Sequence, residues 1–282
     1  MSLTAADTET RIKQPLYRDE QIDTLSPCLS VVVPVYNEAE TLKEVIRKVL
    51  ALPCVLEVII VDDCSSDGTP EVARSFAQAD QRVRVIRHSR NAGKTAALRT
   101  GFPLTVGKIV IVQDADQEYD PREIPEIINP ILEGHADVVF GSRFLVRRAA
   151  RVLYFYHFLA NKFLTFLSNT LTNLNMTDIE TGYKAFRGDI IRNMVIVSSG
   201  FGFEVEVTAK VAKLKAAIYE VPISYYGRTY QEGKKVGLRD GLLAIWLIFR
   251  FNLFCSRQAS FRQLPELELK HNKQSSVVAQ RL

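Results

Sequence analysis

Four carboxylates, Asp114, Asp116, Glu118 and Asp120, alternate with neutral residues at the end of the apolar run in IVIVQDADQEYDP, residues 109–121. Like charges this close repel, so something must offset the cost. Alternation along an extended chain sends the side chains of Asp114 and Asp116 the same way, and Glu118 can follow them. Two or three carboxylates converging at a strand end suit a hard divalent cation, Mg²⁺ or Mn²⁺, which can also hold substrate phosphates. The competing reading is a solvated acidic turn that starts the next helix. Asp120, immediately before Pro121, fits that reading.

Two other strand ends carry the same signal. Tyr36-Asn37-Glu38 follows the first apolar run, and VDDCSSDGT (61–69) contains the end of the second. Either alone is ordinary turn chemistry. Together, three of the first four predicted strands end in acidic residues, and such ends should face one crevice. Asn91-Ala92-Gly93-Lys94-Thr95 resembles a phosphate loop, but His88 stands where its first glycine is required. An NTPase is therefore excluded, while Lys94 near a helix start is placed to meet a phosphate. There is no G-x-G-x-x-G dinucleotide motif and no G-x-S-x-G elbow. His157 lies in an aromatic helical stretch and reads as a packed residue. Residues 227–235 form a basic, glycine-punctuated loop. It is either a solvated loop or a mobile clamp with Arg228 and Lys234 as anion ligands.

The elements that must position these residues follow from periodicity. Strands are predicted at 29–35, 56–61, 82–87, 108–113 and 137–140. Between them lie helices at 39–51, from Thr69-Pro70 onward, at 93–102 and at 122–133. Such alternation implies βαβ units and an α/β fold with a mostly parallel twisted sheet flanked by helices. Near-continuous Val/Ile runs fit strands covered on both faces. Ligands in these sheets bind beyond the carboxyl ends of the strands, where the acidic residues sit. Beyond residue 141 the chain reads as a helical segment at 149–174, a helix at 201–218, a strand at 219–225 and an apolar helix at 241–254.

The organisation expected is a flexible arm (1–27), a catalytic domain (28–240, with 149–176 an amphipathic helical segment), the apolar helix (241–254) and a polar tail (255–282). Leu153, Tyr156, Leu159, Ala160, Phe163, Leu167, Leu171 and Leu174 share one helical stripe, widened by Phe155, Phe158, Leu164 and Phe166. Core packing explains such a stripe. So does an interfacial helix on a bilayer, given Arg147, Arg148, Arg151 and Lys162 nearby. The last apolar helix, with Trp246 and Arg250, could join it. No uncharged apolar run is long enough to span a bilayer. A chain of 282 residues, 47% hydrophobic, 24% charged and of net charge +4 is neither disordered nor a general nucleic-acid binder. Its four cysteines form no C-x-x-C pair, which argues against a zinc site or a disulfide framework and for the reducing cytosol. No apolar signal core opens the sequence.

Taken together, VVVPVYNE (31–38), VDDCSSDGT (61–69), NAGKTAALRTG (91–101), QDADQEYDP (113–121) and GSRF (141–144) resemble the inverting family-2 glycosyltransferases with a GT-A fold. TDIETGYKAFR (177–187) and YGRTYQEGKKVGLRDG (226–241) look like the polyprenyl-phosphate branch. That branch includes dolichol-phosphate mannosyltransferases and bacterial polyprenyl-phosphate glucosyltransferases. The resemblance implies transfer of one hexose from a nucleotide sugar to a polyprenyl phosphate. It assigns Pro34, Tyr36 and Glu38 to the base and ribose, and Val61 and Asp63 to the nucleotide. Asp114, Ala115 and Asp116 would line the diphosphate and a Mg²⁺ or Mn²⁺ ion. Glu118 stands in the metal shell where this branch often has Gln. Arg228 and Lys234 would grip the donor diphosphate, and Arg143 would face the acceptor phosphate or donor sugar. Asp116, Arg143 and Arg228 are then the expected catalytic residues. The implied place of work is the cytoplasmic face of a membrane, as a peripheral protein with no nucleic-acid partner. Many relatives carry C-terminal transmembrane helices where this chain has its polar tail. The Q-x-x-R-W motif of processive synthases is absent, which argues against a polymerase. UDP-glucose, GDP-mannose and UDP-N-acetylhexosamine all stay open as donors. So do two other functions: a soluble transferase acting on a glycan, protein or small molecule, and a nucleotide-sugar-binding regulator without turnover.

Overall fold

The computed structural model describes residues 26–145, 154–228 and 238–267. Lys234, Arg147, Arg148 and Arg151 lie outside the described residues, as do nearly all of the expected arm and the end of the expected tail. In chain order the elements are β1 (Leu29–Val35), α1 (Ala39–Leu50), β2 (Val55–Asp62), α2 (Thr69–Ala79), β3 (Val83–Arg87) and α3 (Lys94–Gly101). Then come β4 (Ile109–Val112), α4 (Ile124–Leu132), β5 (Val138–Ser142), α5 (Phe155–Thr172), β6 (Lys184–Arg187) and α6 (Gly188–Asn193). The last are α7 (Phe203–Leu214), β7 (Ile218–Pro222) and α8 (Leu238–Leu253).

Seven strands form one sheet in the order β3-β2-β1-β4-β6-β5-β7. All neighbours are parallel except β6, which runs antiparallel to both β4 and β5. No strand is predicted over the residues of β6. Lys184-Ala-Phe-Arg187 is short and begins and ends on cations, so it shows no apolar run. Lys184 is nonetheless fully buried. Its ammonium donates to the Ile179 carbonyl at 2.9 Å and lies 4.7 Å from the centre of the Phe140 ring, which satisfies a cation that could not otherwise be buried.

Alternation along the strands divides the core. Val31 and Val33 face α1, α2 and α4, while Val32, Val110 and Val112 face the layer containing α5, α6, α7 and α8. Each fully buried aliphatic side chain contributes about 1.5–3 kcal/mol. Coverage on both faces explains why β1 and β4 read as unbroken apolar runs. The predicted helix at 201–218 is shorter in the structure, because Lys215 turns left-handed at φ 61° and ends α7.

The parallel trio β2-β1-β4 positions the candidate site. Val35 pairs with Asp62 and Val32 with Val112, so Glu38, Asp63 and Asp114 all emerge at one edge. Three non-glycine residues just beyond these strands adopt left-handed backbone: Asn37 (φ 54°), Cys64 (φ 66°) and Gln117 (φ 62°). Such conformations cost about 1–3 kcal/mol each and persist where surroundings over-determine them.

On the far side of the crevice, Glu206 of α7 accepts the backbone N–H groups of Val197 and Ser198 at 2.9 and 2.8 Å. Lys210, one turn on, pairs with it at 2.5 Å, and both side chains are shut from solvent. This pair fixes the 195–198 segment that leads to Gly200, whose carbonyl accepts the Thr95 hydroxyl at 2.8 Å at the start of α3. Lys210→Met should therefore leave a buried, unpaired carboxylate and cost about 3–5 kcal/mol. The urea midpoint measures this. A loss under about 1 kcal/mol would show that the pair does not hold this segment.

Candidate active site

Asp63 is committed to shaping a loop. It accepts the backbone N–H of Ala92 at 2.9 Å and of Gly93 at 2.7 Å, and lies 2.7 Å from His88 Nδ1. This draws the residue 91–93 loop and the start of α3 onto the end of β2. His88, whose only sequence signal is the glycine it replaces in a phosphate loop, is the third partner that locks Asp63. Pro34 and Val61 are register partners in β1 and β2, so two of the expected nucleotide contacts are adjacent. Tyr36 presents a partly exposed ring at the same edge.

The acidic seat is built by Asp114, Asp116 and Lys94. The Lys94 ammonium lies 2.9 Å from Asp114 and 3.1 Å from Glu204 at the start of α7. Burial alone would lower its pKa, but the two carboxylates hold it well above the ordinary lysine value. Gly182 passes so close that a Cβ there would meet Asp114 Oδ2 at 2.5 Å and Lys94 Nζ at 2.9 Å. Ala115 is buried between the two aspartates. Asp116 is pushed up to about 7, first by burial, then by the charges of Asp114 and Glu118. Two adjacent carboxylates at the end of β4, Asp116 raised by burial and by its acidic neighbours and Asp114 held by Lys94, are oxygen donors of the kind a hard divalent ion takes.

Glu118 does not fit the role expected of it. Its carboxylate accepts the Arg228 backbone N–H at 2.8 Å and the Tyr225 hydroxyl at 2.9 Å, and its carbonyl accepts the Tyr226 N–H at 3.0 Å. Among the described residues no three acids converge on a common metal position. Glu118 instead ties the segment around Arg228 to the acidic loop. Asp120 behaves as a helix-start residue, accepting the Arg122 N–H at 3.0 Å.

Arg228 is brought to the site, though against a different partner. Its guanidinium forms a two-pronged pair with Glu38 at 3.0 and 2.8 Å and donates to the Asp116 carbonyl at 2.8 Å. Two residues expected to touch the donor thus hold each other. Arg143 is also paired: its guanidinium donates to both oxygens of buried Asp178 at 2.7 and 2.8 Å and lies 5.2 Å from the Tyr225 ring centre. Burial opposes its charge, yet Asp178 keeps it well above the ordinary arginine value. Glu204, Asp178 and Tyr225 are site residues that the sequence reading missed. Their signal, an acid or tyrosine inside an otherwise apolar or turn-like stretch, is indistinguishable from surface chemistry until the partners meet.

A pH dependence follows. The ordinary value for Asp116 is 3.8, and the folded value is about 7. The folded state therefore binds the proton more tightly than the unfolded chain. The resulting stabilisation is fully present below about pH 4 and is lost as pH rises through about 7. Without divalent ions, the thermal midpoint should fall as pH rises from about 4 to about 7 and level off above that, and Asp116→Asn should flatten this part of the profile. An identical slope in the variant would show that Asp116 does not carry the shift.

The chain matches the family described as Glycosyl transferase family 2 over residues 30–195. An undecaprenyl-phosphate mannosyltransferase of Micrococcus luteus is 32% identical over 235 residues, covering 76% of this chain and 94% of that protein. A polyprenol monophosphomannose synthase of Mycolicibacterium smegmatis is 30% identical over 224 residues, covering 76% of this chain and 84% of that protein. Among solved structures, glucosyl-3-phosphoglycerate synthase from Mycobacterium tuberculosis in complex with uridine diphosphate superposes with a TM-score of 0.63 at 19% identity, over 84% of this chain and 85% of that one. Mannosyl-3-phosphoglycerate synthase from Rubrobacter xylanophilus gives 0.61 at 22% identity, over 86% and 78%. The structural likenesses establish a shared GT-A fold, and the sequence matches establish the family. With an acidic crevice at the ends of its parallel strands, this chain belongs to glycosyl transferase family 2 and is a glycosyltransferase.

Proposed function

We propose that the enzyme transfers one hexose from a nucleotide sugar to a polyprenyl phosphate at the cytoplasmic face of a membrane, to which it is peripheral. The observation that carries this reading is an apolar surface spread over two packed helices. Phe155, Phe163 and Phe166 of α5, and Leu242, Trp246 and Leu253 of α8, all stand exposed. The other side of α5 is conventional core, with Leu164 buried and Leu167 and Leu171 packed against it. A soluble surface rarely exposes this many large apolar side chains together, whereas an interfacial helix pair requires them. No helix among the described residues is long and apolar enough to cross a membrane. The names of the two relatives support a polyprenyl-phosphate acceptor and favour mannose as the hexose. The four free cysteines accord with a reducing compartment.

In the proposed reaction an acceptor phosphate oxygen attacks the anomeric carbon in line and inverts it. That oxygen is already ionised at neutral pH, so a strong general base is unnecessary. The chain's own work is positioning and charge neutralisation. The ends of β1 and β2, with Pro34 and Val61 in the strands and Tyr36 and Glu38 beyond β1, hold the nucleotide, and Asp63 shapes the 91–93 loop beside it. Lys94 keeps positive charge beside the diphosphate seat, and Arg228 reaches the diphosphate on exchanging its Glu38 partner. Lys234, outside the described residues, would serve as a further anion ligand. Arg143, held by Asp178, faces the acceptor. Mg²⁺ or Mn²⁺ bound at Asp114 and Asp116 would supply Lewis-acid neutralisation of the leaving group.

Purified protein with Mg²⁺ or Mn²⁺, GDP-mannose or UDP-glucose and a polyprenyl phosphate should form a glycolipid, and Asp116→Asn should lower the rate at least about 100-fold. Glycosylation of a water-soluble acceptor, with no glycolipid formed, would replace this reading with the soluble one. Vesicle flotation tests the membrane face separately. Phe163→Ser and Trp246→Ser should each weaken partition roughly tenfold, and unchanged partition in the double variant would remove the interfacial assignment.

A further inference from the structure

Glu180 is a buried carboxyl that the proposed reaction leaves unused. Its Oε1 is shut from solvent and has no hydrogen-bond partner, while the residue as a whole is only half-buried. An unsatisfied buried acceptor of this kind is destabilising, so its persistence needs a reason.

The positive charges of Lys184 and Arg143 reach Glu180, yet their donors are spent on other partners. Arg143 is taken by both oxygens of Asp178. Lys94 is taken by Asp114 and Glu204. Lys184 donates to the Ile179 and Thr181 carbonyls on either side of Glu180. Four acids (Asp114, Asp178, Glu180, Glu204) thus share three cations (Lys94, Arg143, Lys184), and Glu180 holds the oxygen left over. Burial and then the Glu204 charge push its carboxyl up to about 7.

Its place in the chain is equally specific. Two residues before it, Asp178 anchors Arg143. Two residues after it, Gly182 lies against Asp114 and Lys94. Along the chain Glu180 therefore falls between the residue that anchors Arg143 and the one that meets the diphosphate seat, and the charges of both Glu204 and Arg143 reach it. An anionic phosphate would not approach an unpaired carboxyl. A neutral group offering hydroxyl hydrogens would satisfy it without adding charge.

We propose that Glu180 binds the hexose of the donor, its carboxyl taking a hydroxyl of the transferred sugar and so helping to set which hexose is used. This rests on the reading of the crevice as a nucleotide-sugar transferase site. It adds a specificity-determining residue to that site.

The test compares wild type, Glu180→Gln and Glu180→Ala, with GDP-mannose, UDP-glucose, their monodeoxy analogues, and GDP and UDP alone. Calorimetric affinities are measured first, then kcat/KM. Wild type should discriminate against one monodeoxy analogue by at least about 30-fold, the loss expected when a buried polar group is left unpaired. In Glu180→Ala that discrimination should collapse at the same hydroxyl, while the affinity for GDP or UDP stays within about twofold. Glu180→Gln, which keeps the shape and one acceptor, should retain part of it. The proposal is overturned if nucleoside diphosphate affinity falls in parallel with sugar-donor affinity, or if the variant keeps the wild-type discrimination at every hydroxyl. If wild type binds nucleotide sugars but transfers nothing, the proposed function fails while the affinity series still decides the role of Glu180.

Discussion

The ammonium of Lys94, held between Asp114 and Glu204, is the contact on which the site depends. It joins three pieces of chain that are remote in sequence: the start of α3, the end of β4 and the start of α7. Without it, buried carboxylates from two layers would face one another across a low-dielectric gap, at a cost of several kcal/mol. The register of β2, β1 and β4 brings the acids together, and Lys94 makes their proximity tolerable. The same cation lies where the phosphates of a donor would be needed, so one side chain serves both folding and the chemistry proposed here.

Much of this was legible in the sequence, for identifiable reasons. Strands β1, β2 and β4 are buried on both faces, so their unbroken Val/Ile runs declare them, and the ends of parallel neighbours must share an edge. Asp120 could be separated from its acidic neighbours because proline follows it. What was not legible is which side chain takes which partner. Glu118 sits at the right spacing for a metal shell, yet both its oxygens are taken by Tyr225 and the Arg228 backbone. Arg228 and Glu38 are separated by 190 residues and nothing local marks them as a pair. Strand β6 escaped because burial of Lys184 depends on two carbonyls and an aromatic ring that only the fold supplies.

The crevice divides along the sheet. Loops after β1 and β2 form a rigid half, locked by Asp63, His88 and the left-handed turns at Asn37 and Cys64. The opposite half, around Arg143, Asp178 and Tyr225, is joined through α5 to the exposed apolar surface. A water-soluble substrate and a lipid-borne one would approach such a crevice from different sides. That arrangement accounts for the two contrasting surfaces of one domain without a second domain to supply either.

The pair between Arg228 and Glu38 has a consequence for what can enter. It bridges the acidic loop and the end of β1, so a ligand entering between them must separate a two-pronged ion pair. A neutral molecule has nothing to offer the guanidinium in exchange and would leave two charges stranded. A molecule carrying both polar hydroxyls and an anionic group can satisfy Glu38 with the first and Arg228 with the second. On the proposed reading the closed pair would act as an electrostatic filter, admitting ligands that replace both partners at once and disfavouring fragments that replace only one.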